Sequence, residues 1–409
     1  MRVRYVIIGN SAAAIGAVEG IRQVDANGEI TIVTSEPHHT YSRPLISYLL
    51  LGKVTHEKMG YRGKDFYERN GCKLCSGATV SGIAFTSKQV VLASGERIPY
   101  DKLLVATGSS AFVPPFEGLD TVREKFTFAG YDDANKLDAA LGKDKRVLIV
   151  GAGLIGLKCA EGILARVAGV TVLDLAPRIL SSILDEGGAA VVQRHLEDKG
   201  LEFKLSVGVK KFEPNAALLD DGTRIEFDIL VLAVGVRPNT GLLNGVAEMD
   251  KGIVVDERSK TTAPDIYAAG DCTQTLDISS GQSKIMALLP SAYMQGECAG
   301  VNMAGGEKSF DTAIPMNAIG FFGLHMVTAG NYTGDVYASD KDGYKRLFYK
   351  DNRLCGYIII GDVSRAGIYT SLIRERTPLD SIDFALVCKQ PGLMAFAKQE
   401  RQIKLGEAK

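Results

Sequence analysis

The chain has 409 residues, 46% of them hydrophobic and 23% charged, which suits two or three packed domains rather than one. Its 47 basic and 48 acidic side chains leave a net charge of −1, so no overall field draws it to nucleic acid or an anionic membrane, and a charged partner must be met by a local patch. Seven scattered cysteines, no apolar run near the roughly 20 residues that span a bilayer, and an N-terminus that enters a strand pattern at once argue for reduced thiols, no leader, no membrane span and a cytoplasmic location.

In chain order, the first feature is an apolar run, YVIIG, that leads into the turn GNSAAA, a helical pattern through Arg22 and a second apolar run, ITIVTSE, ending in Glu36. This reads as a βαβ unit with a degenerate dinucleotide fingerprint. Gly9 makes the turn, while Ser11 and Ala14 stand where the second and third glycines are usual. CKLC, with Cys72 and Cys75, reads as an edge strand followed by a turn, because a zinc or iron–sulfur site needs a second pair or histidines at ligand spacing; a redox dithiol is the alternative. KQVVLASGERIPYDKLLVATG then reads as a hairpin feeding a buried strand, whose tip at Ala106, Thr107 and Gly108 offers a close backbone approach to a cofactor.

The same arrangement returns from Arg146. RVLIV runs into GAGLIG, a helix is expected through Arg166, and VTVLD closes the unit with Asp174. Gly151 makes the turn, Gly153 lets backbone N–H groups reach a pyrophosphate, and Gly156 lets helix and strand pack closely, while the helix N-terminus favours the phosphate charge. The carboxylate of Asp174 suits a ribose diol and repels a 2′-phosphate, and Leu175 beside it offers no cation, so NADH is expected in preference to NADPH. AALLDDGTRIEFDILVLAVG repeats the hairpin-plus-strand pattern and ends at Gly235. From about Phe310 short strands and then a helix-like tail form a small α+β part, with KQERQIKLGEAK as a solvated end. The histidines 38, 39, 56, 195 and 325 do not fall at ligand spacing, no metal site is expected, and no nucleophile-elbow motif is present.

VIIGNSAAA, the ATG at 106–108, GAGLIG, AVGVRPN at 233–239, TTAPDIYAAGD at 261–271 and LPSAYMQG at 289–296 together carry a resemblance over nearly the whole chain. The chain resembles the two-dinucleotide-binding-domain flavoproteins of the pyridine nucleotide–disulfide oxidoreductase superfamily. YSRPLISYLL at 41–50 looks most like the NADH:rubredoxin reductase group and the flavin-binding part of NAD(P)H nitrite reductase large subunits. The resemblance implies an α/β fold with two Rossmann-like domains and a C-terminal α+β interface domain. FAD is expected in a discontinuous domain of residues 1–115 and 240–309, NADH in residues 116–239, and the third domain in 310–409. It implies FAD contacts from Gly9, Ser11, Ala14, Glu36 at the adenosine ribose, Arg43 and Pro44, the ATG tip, Gly270 with Asp271, and Pro290 with Ala292. NADH falls to the second fingerprint, Asp174 and Gly235.

Members of this superfamily that reduce disulfides or peroxides carry one or two cysteines after the first acidic strand, because a thiolate must face the flavin. No cysteine lies between Glu36 and Lys53, so electrons are expected to leave without a protein thiol. Sirohaem-dependent nitrite reduction by this chain alone is not expected, because it stops at Lys409 without the long extension. The expected reaction is hydride transfer from NADH to FAD, then delivery to a small rubredoxin- or ferredoxin-like carrier. Oxygen, a quinone or a diffusible disulfide is the alternative acceptor, a non-catalytic NADH-sensing flavoprotein is the other, and a homodimer is left open. Related ferredoxin reductases pair a lysine after the RPxLS segment with a glutamate in the NAD fingerprint helix. Here Tyr48 and Lys158 hold those positions, so Lys158 is expected to bring the positive charge to the flavin from the NAD side, oriented by Glu161 one helical turn on. A solvated surface lysine is the alternative.

Overall fold

The computed structural model describes residues 2–341, 343–397, 400, 403 and 405, and its described residues form two compact units. One comprises Met1–Pro177, Gly200–Leu276 and Ser283–Asp311; the other comprises Arg178–Lys199, Asp277–Gln282 and Thr312–Lys409.

The first unit is built on two parallel five-stranded sheets. In one, the strands run in the order Ile266–Ala268, Lys102–Val105, Arg4–Ile8, Glu29–Thr34 and Cys72–Ser76. Its three inner strands are apolar on both faces because helices or loops cover both. Ile8 lies level with Val33 and Val105, and Val105 with Ala268, so four strands end along one edge. The second sheet runs Leu201–Leu205, Gly169–Asp174, Arg146–Val150, Ile229–Leu232 and Lys125–Thr127, with Val150 level with Leu173 and Leu232. Each expected hairpin forms, as Gln89–Leu92 with Arg97–Pro99 and as Ala216–Leu219 with Arg224–Glu226, and each feeds the strand that follows it. Two short strands, Ser109–Ala111 and Val236–Pro238, pair antiparallel where the chain passes between the sheets.

The helices Ala12–Val24 and Leu289–Met303 meet backbone to backbone. A methyl group on Gly296 would lie 2.0 Å from the Ala13 carbonyl oxygen, and one on Gly300 would lie 2.2 Å from that of Ala17. Only glycine permits this approach, and it seats the LPSAYMQG helix directly on the first fingerprint helix.

Cys72–Ser76 is an edge strand, as its sequence suggests. Cys72 packs on the cluster around Ile7 and Phe66 on one face, whereas Cys75 packs on that around Val33 and Leu103 on the other. Residues three apart in a strand point oppositely, so the pair cannot act as a dithiol without unpairing the strand. Burial pushes the Cys72 thiol up to about 11.

The second unit is an antiparallel sheet ordered Met316–Phe321, Leu324–Gly330, Arg353–Gly361, Gly343–Lys350 and Asp335–Ser339, with the helix Ala366–Arg374 burying Tyr369, Leu372 and Ile373. The helix Glu186–Glu197 belongs to this unit, although in sequence it links two strands of the second parallel sheet. Asp185 caps it, accepting from the Gly188 N–H at 2.9 Å and from the Tyr344 hydroxyl at 2.6 Å. Most of the C-terminal KQERQIKLGEAK segment lies outside the described residues.

Candidate cofactor sites

In a parallel sheet all carboxyl ends share one edge, and turns leaving that edge are where nucleotides bind. The first sheet brings together there the turn after Ile8, the ATG tip after Val105, and Gly270–Asp271 after the strand Ile266–Ala268, with Glu36 two residues past its strand. Gly9 has φ +120°, and a Cβ on it would lie 2.1 Å from the Ala106 carbonyl oxygen, so the turn accepts no other residue without moving the neighbouring strand. Ser11 precedes the helix Ala12–Val24 and makes no side-chain cap bond, and no acid stands in the first turn. The N–H groups there are open to an anion. Ala14 is fully buried, filling the place of the third glycine.

Gly270 has φ +83°, and a Cβ on it would lie 3.2 Å from that of Ala13 and 3.6 Å from that of Ala292. Gln295 holds this loop: its side-chain oxygen accepts from the Gly270 N–H at 2.8 Å and the Thr273 hydroxyl at 3.0 Å. The Asp271 carboxylate accepts from the Ser109 hydroxyl at 3.0 Å. Burial pushes its carboxyl upward, opposed by that hydroxyl and by the charge of Arg43. Pro290, in the first turn of the helix Leu289–Met303, is exposed, while Ala292 is buried. Thr107 and Asn239 tie the passages between the sheets, with the Thr107 hydroxyl donating to the Asn239 carbonyl at 2.6 Å and the Asn239 amide donating to the Thr107 carbonyl at 3.0 Å. Gln295, Ser109 and Asn239 were not singled out from sequence. Two of them lie within LPSAYMQG and AVGVRPN, but a bond to a distant loop leaves no local signal.

Glu36 and Arg43 meet each other. The guanidinium donates to the Glu36 carboxylate at 2.7 Å and to the Ala129 carbonyl at 3.0 Å, and it lies 5.5 Å from the centre of the Tyr41 ring. Pro44 beside it is exposed, on the short helical turn that precedes the helix Ile46–Leu50.

At the second sheet Gly151 has φ +115°, and its Cβ position lies 2.2 Å from the Ala233 carbonyl oxygen, while that of Gly156 lies 1.9 Å from the Gly151 carbonyl oxygen. A Cβ on Gly153, by contrast, would meet nothing within 4 Å. Two of the three glycines are therefore required by the protein itself, and the middle one faces open space of the kind a pyrophosphate fills. Gly153 precedes the helix Leu154–Ile163, which has neither a side-chain cap nor an acid in its first turn. Asp174 ends its strand with one carboxylate oxygen accepting from the Ala152 N–H at 2.7 Å and the other from the Ala176 N–H at 2.8 Å. Each oxygen keeps a lone pair for a hydroxyl donor. Leu175 is 76% exposed, and Gly235, with φ +122°, is also exposed.

Lys158 is not a solvated lysine: only 16% of its side chain is exposed, and it forms an ion pair with Glu161, which is 5% exposed. Its ammonium lies 4.7 Å from the centre of the Tyr48 ring. The contact exists because the helix Leu154–Ile163 packs on the helix Ile46–Leu50, where a Cβ on Gly162 would lie 3.1 Å from that of Leu50. The fingerprint helix and the RPLISY segment thus share a charged, largely buried junction. Among the described residues no group of three or more histidine, cysteine or acidic side chains is placed to hold a metal, and no helix is long and apolar enough to cross a membrane.

Comparison with known proteins bears on the fold and the family. Residues 315–377 match the rubredoxin NAD+ reductase C-terminal domain. The chain is 35% identical to the NADH-dependent phenylglyoxylate dehydrogenase subunit epsilon of Aromatoleum evansii, covering 92% of each chain. It is 27% identical to the NADH-rubredoxin oxidoreductase of Clostridium acetobutylicum, covering 87% of this chain and 90% of that one. It spans about half of the nitrite reductase [NAD(P)H] of Bacillus subtilis, at 30% identity over 92% of this chain and 48% of that one. The fold is that of the reductase in the covalent putidaredoxin reductase–putidaredoxin complex, with a TM-score of 0.87 at 23% identity over 100% of this chain and 99% of that one. Both glycine turns, both parallel sheets and the GD loop fall within residues 3–296, which match the pyridine nucleotide-disulphide oxidoreductase model, and the chain belongs to that family.

Proposed function

We propose that the chain is an FAD-dependent NADH oxidoreductase that passes electrons to a small electron-carrier protein. The observation that carries this reading is the pair of parallel sheets, each with an uncapped helix behind a glycine turn at its carboxyl edge, together with the absence of any cysteine from Glu36 to Lys53. In this reading the FAD domain is residues 1–115 and 240–309, the NAD domain 116–239 and the interface domain 310–409. Gly9, Ser11, Ala14 and the helix N-terminus behind them take the FAD pyrophosphate, and Glu36, steadied by Arg43, takes the adenosine ribose. Pro44, the 106–108 tip, Gly270, Asp271, Pro290 and Ala292 complete the cradle.

The FAD, when bound, accepts a hydride from the nicotinamide and releases electrons singly or in pairs. The protein's own part is to hold NADH through Gly151, Gly153, Gly156, Gly235 and Asp174. It also places the Lys158 ammonium, backed by Glu161 and Tyr48, where negative charge gathers as the hydride moves. With no protein thiol in the 36–53 segment, the outlet is a carrier docked from outside. A rubredoxin- or ferredoxin-like protein is the partner of choice, and the name of the Aromatoleum relative, a subunit, favours a carrier that is itself part of a larger assembly. The cytoplasm is the proposed compartment, and sedimentation distinguishes a monomer from a homodimer.

The test is anaerobic reduction of the yellow protein by NADH, followed by presentation of rubredoxin, ferredoxin, oxygen, a quinone and a disulfide. Fastest reoxidation by an iron–sulfur or rubredoxin carrier supports the reading. Fastest reoxidation by oxygen, quinone or disulfide replaces it with a small-molecule reductase, and slow flavin reduction by NADH itself favours a sensor.

A further inference from the structure

A carboxylate that is to accept from a ribose diol has to present a fixed edge, and a long side chain near the surface loses rotamer freedom when it does so. Glu36 stands two residues past its strand, and its side chain is 35% exposed. The groups that fix it come from elsewhere in the chain. One guanidinium nitrogen of Arg43 donates to the carboxylate at 2.7 Å, and another donates at 3.0 Å to the carbonyl of Ala129, 86 residues further on.

Ala129 lies just before the helix Tyr131–Ala140, whose start is held by its own acid. Asp133 accepts from the Ala129 N–H at 2.9 Å, the Gly130 N–H at 3.3 Å and the Thr127 hydroxyl at 3.0 Å. Two backbone groups there reach outside the helix. The Ala129 carbonyl takes Arg43, and the Tyr131 N–H, a first-turn donor with no partner in its own helix, donates to the Tyr41 hydroxyl at 3.1 Å. A phenol that has accepted a hydrogen bond still has its own proton to give.

The three polar groups converge on Gly130. A Cβ there would lie 3.4 Å from the Tyr41 hydroxyl, 3.4 Å from an Arg43 guanidinium nitrogen and 3.9 Å from a Glu36 carboxylate oxygen. A methyl group would be in ordinary contact, whereas a longer side chain would press into the group. Tyr41 is 8% exposed, and burial pushes its hydroxyl up to about 12; the charge of Arg43 opposes this, and Glu36 adds to it both as a charge and as an acceptor. The carboxylate is thus gripped from two sides, by a guanidinium and by a phenol, and each of these is pinned by the backbone of residues 129–131.

We propose, on the placement of Glu36 at the adenosine ribose of FAD, that Tyr41 is a positioning residue for that carboxylate and that Ala129, Gly130 and Tyr131 are the brace behind it. Tyr41 and Arg43 occupy part of the Glu36 carboxylate and turn its remaining lone pairs toward the ribose hydroxyls. The brace belongs to residues 116–239, so the NAD part of the chain takes a share in recognising FAD.

The test titrates the FAD-stripped full chain with FAD and, separately, with FAD lacking the 2′-hydroxyl of its adenosine ribose, and reads the ratio of the two dissociation constants. Wild type should prefer FAD about tenfold, as one hydrogen bond to a charged group implies. Glu36→Gln should bring the ratio within about twofold, and Tyr41→Phe and Gly130→Leu should each bring it to about threefold or less, because the carboxylate stays but is no longer aimed. Gly130→Ala should keep the wild-type ratio. Adding Tyr41→Phe to Glu36→Gln should change the ratio no further, since Tyr41 acts through the carboxylate. Equal binding of the two flavins by wild type, or a preference that survives Glu36→Gln, overturns the placement of Glu36 at the ribose and this proposal with it. A preference lost in Glu36→Gln but kept in Tyr41→Phe or in Gly130→Leu, even where both flavins bind more weakly, overturns the proposal alone.

Discussion

A buried ion pair is costly unless each charge has its partner, so Lys158 and Glu161 must be treated together. Lys158→Met removes the cation and keeps the negative charge of Glu161. The flavin midpoint potential should fall by roughly 20–45 mV, taking a lost charge interaction of about 1–2 kcal/mol at about 30 mV per 1.4 kcal/mol. Glu161→Gln frees the cation from its counter-charge and should raise the potential, and the double variant should return near wild type. Potentiometry on the four proteins decides the matter, since four equal potentials would place the pair away from the flavin. At the other cofactor, Asp174 offers an acceptor to a ribose diol and a repelling charge to a 2′-phosphate. A difference of about 2–3 kcal/mol corresponds to roughly 30- to 150-fold in favour of NADH in kcat/KM. Asp174→Ala should weaken NADH and narrow that ratio; a wild-type protein that uses both cofactors equally would refute the assignment.

At the level of elements, the glycines divide by what their missing Cβ faces. Gly296→Ala drives a methyl group into the backbone of the first fingerprint helix, an overpacking that typically costs about 1–3 kcal/mol, and it should lower both the melting temperature and FAD content. Gly153→Ala adds its methyl group to open space. It should keep the melting temperature and the FAD and weaken NADH at least tenfold, and equal loss of stability in the two variants would contradict the packing described. Strand pairing gives a pH signature as well. Asp101 accepts from the Arg4 backbone N–H at 2.8 Å and pairs with its guanidinium at 2.7 Å, which ties the strands Arg4–Ile8 and Lys102–Val105 together. The guanidinium, chiefly through its hydrogen bond, holds the Asp101 carboxyl down at about 2. A carboxyl depressed in the folded state stabilises it above its unfolded pKa of about 4 and loses that contribution as pH falls toward 2. Asp101→Asn should therefore be less stable at pH 7, by no more than about 1 kcal/mol because the pair is partly exposed, and the deficit should fade between pH 4 and pH 2.

For the molecule as a whole, cofactor binding is also a stability statement. At a free FAD concentration 100 times its Kd, binding contributes about 2.7 kcal/mol to the folded state, so the FAD-stripped protein should melt lower and recover on adding FAD. One FAD per chain is expected, and a colourless protein that cannot be reconstituted would sink the reading. The net charge of −1 gives no long-range steering, so carrier recognition has to come from a local surface.

The two βαβ units, their hairpins and the short strands of the C-terminal α+β part were legible in the residues because each is written locally. Apolar runs, a glycine at a positive-φ turn and a helical period act over a few neighbours, and a strand such as Arg146–Val150 is bounded by its own turn chemistry. For the same reason Gly9, Gly151, Gly156 and Asp174 lie where their spacing placed them, at the tips of parallel strands. What only the tertiary structure decided are the meetings of residues far apart in the chain. They include Lys158 over Tyr48, Gln295 under Gly270, Arg43 against Ala129, and His38 and His56 around Tyr131. Such contacts follow from how sheets and helices pack, and a side chain's burial and partners are properties of that packing. The sequence alone could pair Lys158 with Glu161 across one helical turn, but it could not say that the pair is buried, because burial is supplied by the helix Ile46–Leu50 more than a hundred residues earlier in the chain.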